Sequence, residues 1–170
     1  SGLLVTTLGG PSVKPYQPEG IWEAVGYTDS NTAKFTQDSG EALYRRSLYT
    51  FWKRTAPPPT LTTFDAPSRE SCTVRRPRTN TPLAALASMN DVQFVEASRA
   101  MAQRVLREGG NSNDDKIGYA FLLTVSRTPT TEELAVVNEL LSDAEARYQK
   151  NPDAAAKLIS VGESTADATI

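Results

Sequence analysis

The residues best equipped for chemistry gather in one run, FDAPSRESCTVRRPRTNTPLAAL, residues 64–86. It holds Arg69, Arg75, Arg76 and Arg78, the only cysteine of the chain, Cys72, and three prolines at 67, 77 and 82. Just upstream, Arg45, Arg46, Lys53 and Arg54 alternate with Tyr44, Tyr49, Phe51 and Trp52. A guanidinium is a flat fork that grips carboxylate, phosphate or sulfate with two parallel hydrogen bonds, and aromatic faces stack on cations and sugar rings. Arg45, Arg46, Trp52, Lys53, Arg54, Arg69, Arg75, Arg76, Arg78 and Asn80 are therefore the binding candidates, for a sulfated sugar or an acidic protein face. The competing reading is internal. Irregular backbone has many carbonyls without ladder partners, and arginines satisfy them. On that reading the run is an ordered connector that wraps a helical bundle. Several of Arg69, Arg75, Arg76 and Arg78 should then bond backbone oxygens or carboxylates, with Asp65 and Glu70 as countercharges. Ser68, Thr79 and Asn80 would satisfy the local backbone, and any leftover positive charge would face a partner or ligand.

The composition closes many other routes. Histidine is absent from the 170 residues, so Ser-His or Cys-His nucleophile pairs, imidazole-bound zinc and histidine-ligated haem are excluded within the chain. A lone Cys72 allows no internal disulfide, CxxC pair or cysteine metal cluster. It is expected as a packed thiol, at least partly buried, with a reactive role as the alternative because arginines surround it. Catalysis would fall to carboxylates, tyrosine, lysine or a bound metal. Asp65, Glu70, Asn90 and Asp91 are the polar groups nearest the arginine run, and they would need other domains to complete a site. The adjacent acids Asp114-Asp115 and Glu132-Glu133 read as first-turn residues that favour the positive end of a helix. No phosphate-binding glycine loop or metal-ligand pattern is present, so no cofactor or metal is expected.

Charge is uneven. Residues 1–43 carry two basic and five acidic groups, net −3; residues 44–78 carry eight basic against two acidic, net +6; residues 79–110 balance, and 111–170 sum to −5, which totals −2. The positive field belongs to one segment of a mildly acidic chain. With no nucleic-acid reading motif, nucleic acid is not an expected partner. No apolar run approaches the ~20 residues of a membrane span, and SGLLVTTLGG lacks a basic region ahead of a long apolar core.

These groups must be positioned by an irregular N-terminal half and a helical C-terminal half. GGPSVKPYQPEG reads as a surface loop. GEALYRRSLYTFWKR fits helical spacing through Tyr44, Leu48 and Phe51 and strand alternation through Leu48, Thr50 and Trp52, with helix slightly favoured. Pro57 to Pro59 predict an extended link. Thr81-Pro82 predicts a helix start, Asp91 a break or recap, and Gly109-Gly110 a stop. Asn113 or Asp114 is expected to cap a further helix carrying Ile117 and Phe121. Thr130 and Glu133 predict a capping box, opening a helix with the stripe Leu134, Val137, Leu141, Ala144 and Tyr148. A last helix follows Asn151-Pro152. The expected fold class is mainly α: one domain over 1–170, with an extended, Pro/Arg-rich part over 1–80 wrapped on a small antiparallel bundle over about 82–160.

LYRRSLYTFWKRTAPPP, FDAPSRESCTVRRPRTNTPLAAL and MNDVQFVEASR together resemble the C-terminal domain of unknown function in planctomycete cytochrome-c-associated multidomain proteins. LGGPSVKPYQPEGIWEAV and SRTPTTEELAVV extend the resemblance over nearly the whole chain. The resemblance includes the cysteine at Cys72 and the stretch Arg75 to Leu83, and it implies no established activity. It implies a parent protein with a c-type cytochrome domain first, another domain next and this one last. Haem c is implied for the parent only, since CxxCH is missing here. More chain is implied before SGLLV and after VGES, which makes the 170 residues a fragment. An extracytoplasmic location, periplasmic or secreted, follows from the same resemblance. The leading expectation is a non-catalytic docking domain of an electron-transfer protein whose partners are the parent's other domains. An anionic polysaccharide-binding module and part of a composite enzyme site are the alternatives.

Overall fold

The structure, a computed structural model, describes residues 1–27 and 29–167. It is mainly helical with a loop-rich N-terminal half, as the patterns predict. The described α-helices are α1 (Pro59–Thr63), α2 (Pro82–Asn90), α3 (Val92–Glu108), α4 (Asn113–Val125), α5 (Thr131–Lys150) and α6 (Pro152–Ile159). Ahead of them lie 3-10 turns at Glu23–Val25, Gly40–Tyr44 and Ser47–Tyr49. Extended pairing among the described residues is limited to isolated bridges, Val5 with Arg45, Val13 with Thr50 and Lys53 with Ala56. None of the described helices is long and apolar enough to cross a membrane. The chain forms two compact units, Leu4–Phe94 and a second made of Ser1–Leu3 with the residues from Val95 onward.

The first unit builds a core from loops. Trp22 is 2% exposed and Leu43 fully buried, joined by Val13, Ala56 and Thr50. Around Trp22 stand Phe35 at 5.2 Å and Phe51 at 5.4 Å between ring centroids. The Lys53 ammonium lies 5.0 Å from the indole centroid and donates to the carbonyls of Trp22 (3.2 Å) and Thr32 (2.8 Å). A half-buried cation over indole adds attraction to that of the buried area in this small loop core.

The helix favoured for GEALYRRSLYTFWKR does not form. Val5 N–H donates to the Tyr44 carbonyl at 3.0 Å, Val13 N–H to Tyr49 at 2.8 Å, and Phe51 N–H to Val13 at 2.8 Å. The backbone of 44–51 keeps only short 3-10 bonds of its own, from Tyr49 N–H to Arg46 and Thr50 N–H to Ser47, and shares the rest with the N-terminal loop, leaving Leu48 76% exposed. Helical spacing was coincidental here because the tertiary partner, not the local period, took the hydrogen bonds. The proline link is also shorter than expected. Pro58 is extended (φ −57°, ψ 120°), but Pro59 opens α1, where its missing N–H leaves nothing unsatisfied.

Helix signals downstream fare better. Thr81 Oγ1 accepts from Ala84 N–H at 3.1 Å and starts α2. Asp91 is extended between α2 and α3, and its Oδ1 accepts from Gln93 N–H at 2.9 Å. The α4 cap differs from expectation by a residue or two. Ser112, not Asn113 or Asp114, takes the role, in a capping box closed by Asp115. The Thr130–Glu133 box opens α5 as predicted. The stripe Leu134, Val137, Leu141, Ala144 and Tyr148 is the half-buried face of α5, which packs against α4 and α6.

One buried polar knot pins the end of the second unit. Glu96 on α3 is 1% exposed; its Oε1 accepts from Ser164 N–H at 2.6 Å and lies 3.7 Å from the Arg99 guanidinium. Arg99 donates to the carbonyls of Ile159 (2.9 Å) and Ser164 (2.6 Å) and to Ser164 Oγ (2.6 Å). Buried charge is tolerable only when paired and hydrogen-bonded in this way.

Candidate functional site

The arginine run is a closed loop displayed on the first unit. Its neck is Asp65, which follows the one-and-a-half turns of α1 in the left-handed region at φ 59°. Asp and Asn tolerate that conformation better than most residues because the short polar side chain bonds locally. The Asp65 carboxylate accepts from Thr79 N–H at 2.7 Å and from the Thr79 hydroxyl at 2.8 Å. Fourteen residues on, the chain has come back to the same point. These two donors, with the Arg76 charge nearby as a smaller contribution, hold the Asp65 carboxyl below the usual carboxylate range. Arg76 adds a second tie, donating to the Phe64 carbonyl at 2.6 Å.

A lateral clasp holds the near side of the loop. Arg54 grips Glu70 with a bidentate pair, Nε to Oε1 at 2.9 Å and Nη2 to Oε2 at 2.7 Å. Beside it the Arg69 guanidinium stacks 4.7 Å from the Trp52 ring centroid. Both groups of the ion pair face solvent, so the pair orients the loop more than it stabilises the fold. Hydrogen bonding to each other drives the Arg54 pKa up and the Glu70 pKa down.

The structure therefore sorts the sequence candidates. Arg45 is internal: it stacks 3.8 Å from the Tyr49 ring centroid and donates to the carbonyls of Pro11 (3.2 Å), Thr7 (3.1 Å) and Gly9. Lys53 is internal as well. Trp52, Arg54 and Arg69 meet at the clasp, and Arg76 sits at the neck. Arg46, Arg75, Arg78 and Asn80 are exposed, and the three arginines make no hydrogen bond or ion pair among the described residues.

Two expectations fail. Only Arg76 of the four loop arginines bonds a backbone oxygen, and none of the four pairs with a carboxylate; Glu70 pairs instead with Arg54 and Asp65 with Thr79. Cys72 is exposed, not packed. The reason is common to both. Closing the loop at Asp65–Thr79 leaves the residues from 68 to 80 exposed, and Cys72, Arg75 and Arg78 there find no carbonyl or carboxylate among the described residues. Sequence reasoning had Asp65 as a countercharge and missed Thr79 as its partner. The available signal was an Asp directly after a short helix, a residue type suited to the left-handed turn.

Outward, Arg75, Arg76, Pro77 and Arg78 line a wide concavity of about 860 Å³. Immediately after the loop, α2 presents a second exposed feature. Leu83, Leu86 and Met89 recur every third residue and are 60%, 54% and 69% exposed, while Ala84 and Ala87 are half-buried. The polar candidates for chemistry are each engaged separately. Asp91 Oδ2 accepts from the Thr60 hydroxyl at 2.7 Å while its other oxygen caps α3, and Asn90 donates to the Leu86 carbonyl at 2.9 Å. No three metal-ligating side chains gather among the described residues. A c-type haem requires paired thiols and an axial ligand, and one exposed thiol without any imidazole does not fit that group.

A family model described as PSD1, protein of unknown function (DUF1553), matches residues 1–141. The chain belongs to this family. No curated protein and no solved structure matched it.

Proposed function

We propose that this chain is a non-catalytic docking module of a larger, extracytoplasmic c-type-cytochrome-containing protein. Its surface is the arginine loop together with the adjoining face of α2. The observation that carries the reading is the continuity of these two features. Exposed Leu83, Leu86 and Met89 begin within a few residues of Arg75 and Arg78, which make no ion pair among the described residues. A helix face this apolar is ordinarily covered, and arginines at its rim select what covers it. The occupant is an apolar patch rimmed by carboxylates on another domain of the same parent protein, the cytochrome domain first. The +6 balance of residues 44–78 gives the required complementarity.

Association of this chain with the separately produced remainder of the parent, followed by analytical ultracentrifugation, tests the reading. Leu86→Asp and the double variant Arg75→Glu, Arg78→Glu should each weaken association by at least about tenfold, since a charge would be buried in one case and complementarity reversed in the other. Unchanged association in both would refute it.

The arginine-lined concavity favours a second reading, a binding site for an anionic, sulfated polysaccharide. Calorimetry with sulfated against neutral polysaccharides separates the two. Binding that is absent, or insensitive to salt, removes the second reading. Arg75 and Arg78 are the residues to alter, because Arg45 already serves three carbonyls.

A further inference from the structure

Away from the arginine loop, the first unit holds an open cavity of about 260 Å³ lined by Tyr16, Gln17, Pro18, Gln37, Asn90, Asp91 and Val92. Its chemistry differs from that of the loop in every respect. No cation lines it. Three side-chain amides, each able to donate and accept, stand with one carboxylate, a phenol ring and the apolar faces of Pro18 and Val92.

One of those amides is unsatisfied. Gln17 Nε2 has almost no accessible surface and no hydrogen-bond partner, so it meets a ligand only when the side chain turns toward the cavity. A buried donor left unmade costs on the order of 1–3 kcal/mol, so native folds keep such groups for a reason. The other polar groups retain capacity. Asn90 uses only an N–H, on the Leu86 carbonyl, which leaves its oxygen as an acceptor. Each Asp91 oxygen accepts one bond, from Thr60 or Gln93, and has a lone pair left. Gln37 is exposed at the edge and makes no hydrogen bond among the described residues.

We infer that this cavity is a binding site for a neutral polyhydroxylated ligand, a single sugar ring. Adjacent hydroxyls are donors and acceptors at fixed spacing, which amides and a carboxylate match together. The C–H face of a pyranose packs on a phenol ring and a pyrrolidine, as Tyr16 and Pro18 offer. The carboxylate of Asp91 disfavours an anionic ligand, so this site is chemically separate from any sulfated chain at the arginine loop. Its volume lies just below the range of roughly 300–1,000 Å³ for drug-sized ligands, which suits one ring and not an extended chain. The inference stands independently of the docking proposal, since the cavity includes none of the loop arginines and none of Leu83, Leu86 and Met89.

Saturation-transfer NMR and calorimetry on the 170-residue chain, with glucose, galactose, mannose and N-acetylglucosamine as probes, test it. Glucuronate and choline serve as the charged controls. At least one neutral sugar should bind more tightly than both controls. Gln17→Leu and Gln37→Ala should each weaken that binding about tenfold or more, a loss equivalent to one hydrogen bond to ligand. Gln37 is exposed, so its variant keeps the fold even if the Gln17 variant does not. No binding by any of the four sugars, stronger binding of either charged control, or binding indifferent to both substitutions would overturn the proposal.

Discussion

Asp65 shows how much of this surface rests on one side chain. Its carboxylate joins two points fourteen residues apart, and its left-handed backbone aims it there. Asp65→Ala removes both bonds to Thr79 and strains the backbone, because alanine gains nothing at positive φ. Trypsin cleavage after Arg75 and Arg78 should accelerate several-fold, with the thermal midpoint shifted only slightly, since the loop buries little; the Arg76–Pro77 bond resists trypsin. Cleavage at the unaltered rate would mean that the neck does not hold the loop. Gly162 tests the second unit in the same way. It sits at φ +88°, and a Cβ there would overlap the buried Glu96 side chain. Gly162→Ala must displace the Glu96–Arg99–Ser164 knot or break it, with an expected destabilisation of about 2–4 kcal/mol by denaturant unfolding. A loss below about 0.5 kcal/mol would show the knot to be dispensable. Legibility at this scale was partial. Arginine identity marked the right region, but the exposure of Cys72 and the fate of each guanidinium depended on a loop closure that residue types alone do not announce.

Helices were the legible elements, because their ends are decided locally. Thr81 with Pro82, Asp91 between two helices, and the Thr130–Glu133 box all act within one turn of chain, and each stands where the sequence puts it. The segment 40–54 was not legible. Its long-range backbone hydrogen bonds go to residues 5 and 13, and no local pattern encodes a partner that distant. The sugar cavity is less legible still, assembled from positions 16–18, 37 and 90–92 with no shared motif. The α5 box also makes a pH prediction. Bonds from Arg127 at 2.7 Å, and from Thr130 N–H at 2.8 Å, hold the Glu133 carboxyl down to about 2. The folded state thus binds this proton less readily than the unfolded chain, whose value is near 4.5. The contribution of the pairing is full above about pH 4.5 and fades as pH falls toward 2. Thermal unfolding from pH 6 to 2 should therefore show a smaller acid loss for Glu133→Gln than for the natural chain. Parallel curves would place the acid sensitivity in other carboxylates.

At the scale of the whole molecule, the unexplained quantity is surface that none of the described residues covers. The exposed face of α2 and the outward arginines are adjacent in sequence and opposite in character, one apolar and one cationic. Such a pairing is ordinary at the centre and rim of an interface. In the docking account, residues 66–90, the arginine loop and α2, are the part of this module that the rest of the parent protein protects. Amide hydrogen exchange compares that directly between the isolated 170-residue chain and the intact parent. The account predicts slower exchange across residues 66–90 in the intact protein, with α5 and α6 exchanging alike in both. Equal exchange across 66–90 in the two forms would contradict it.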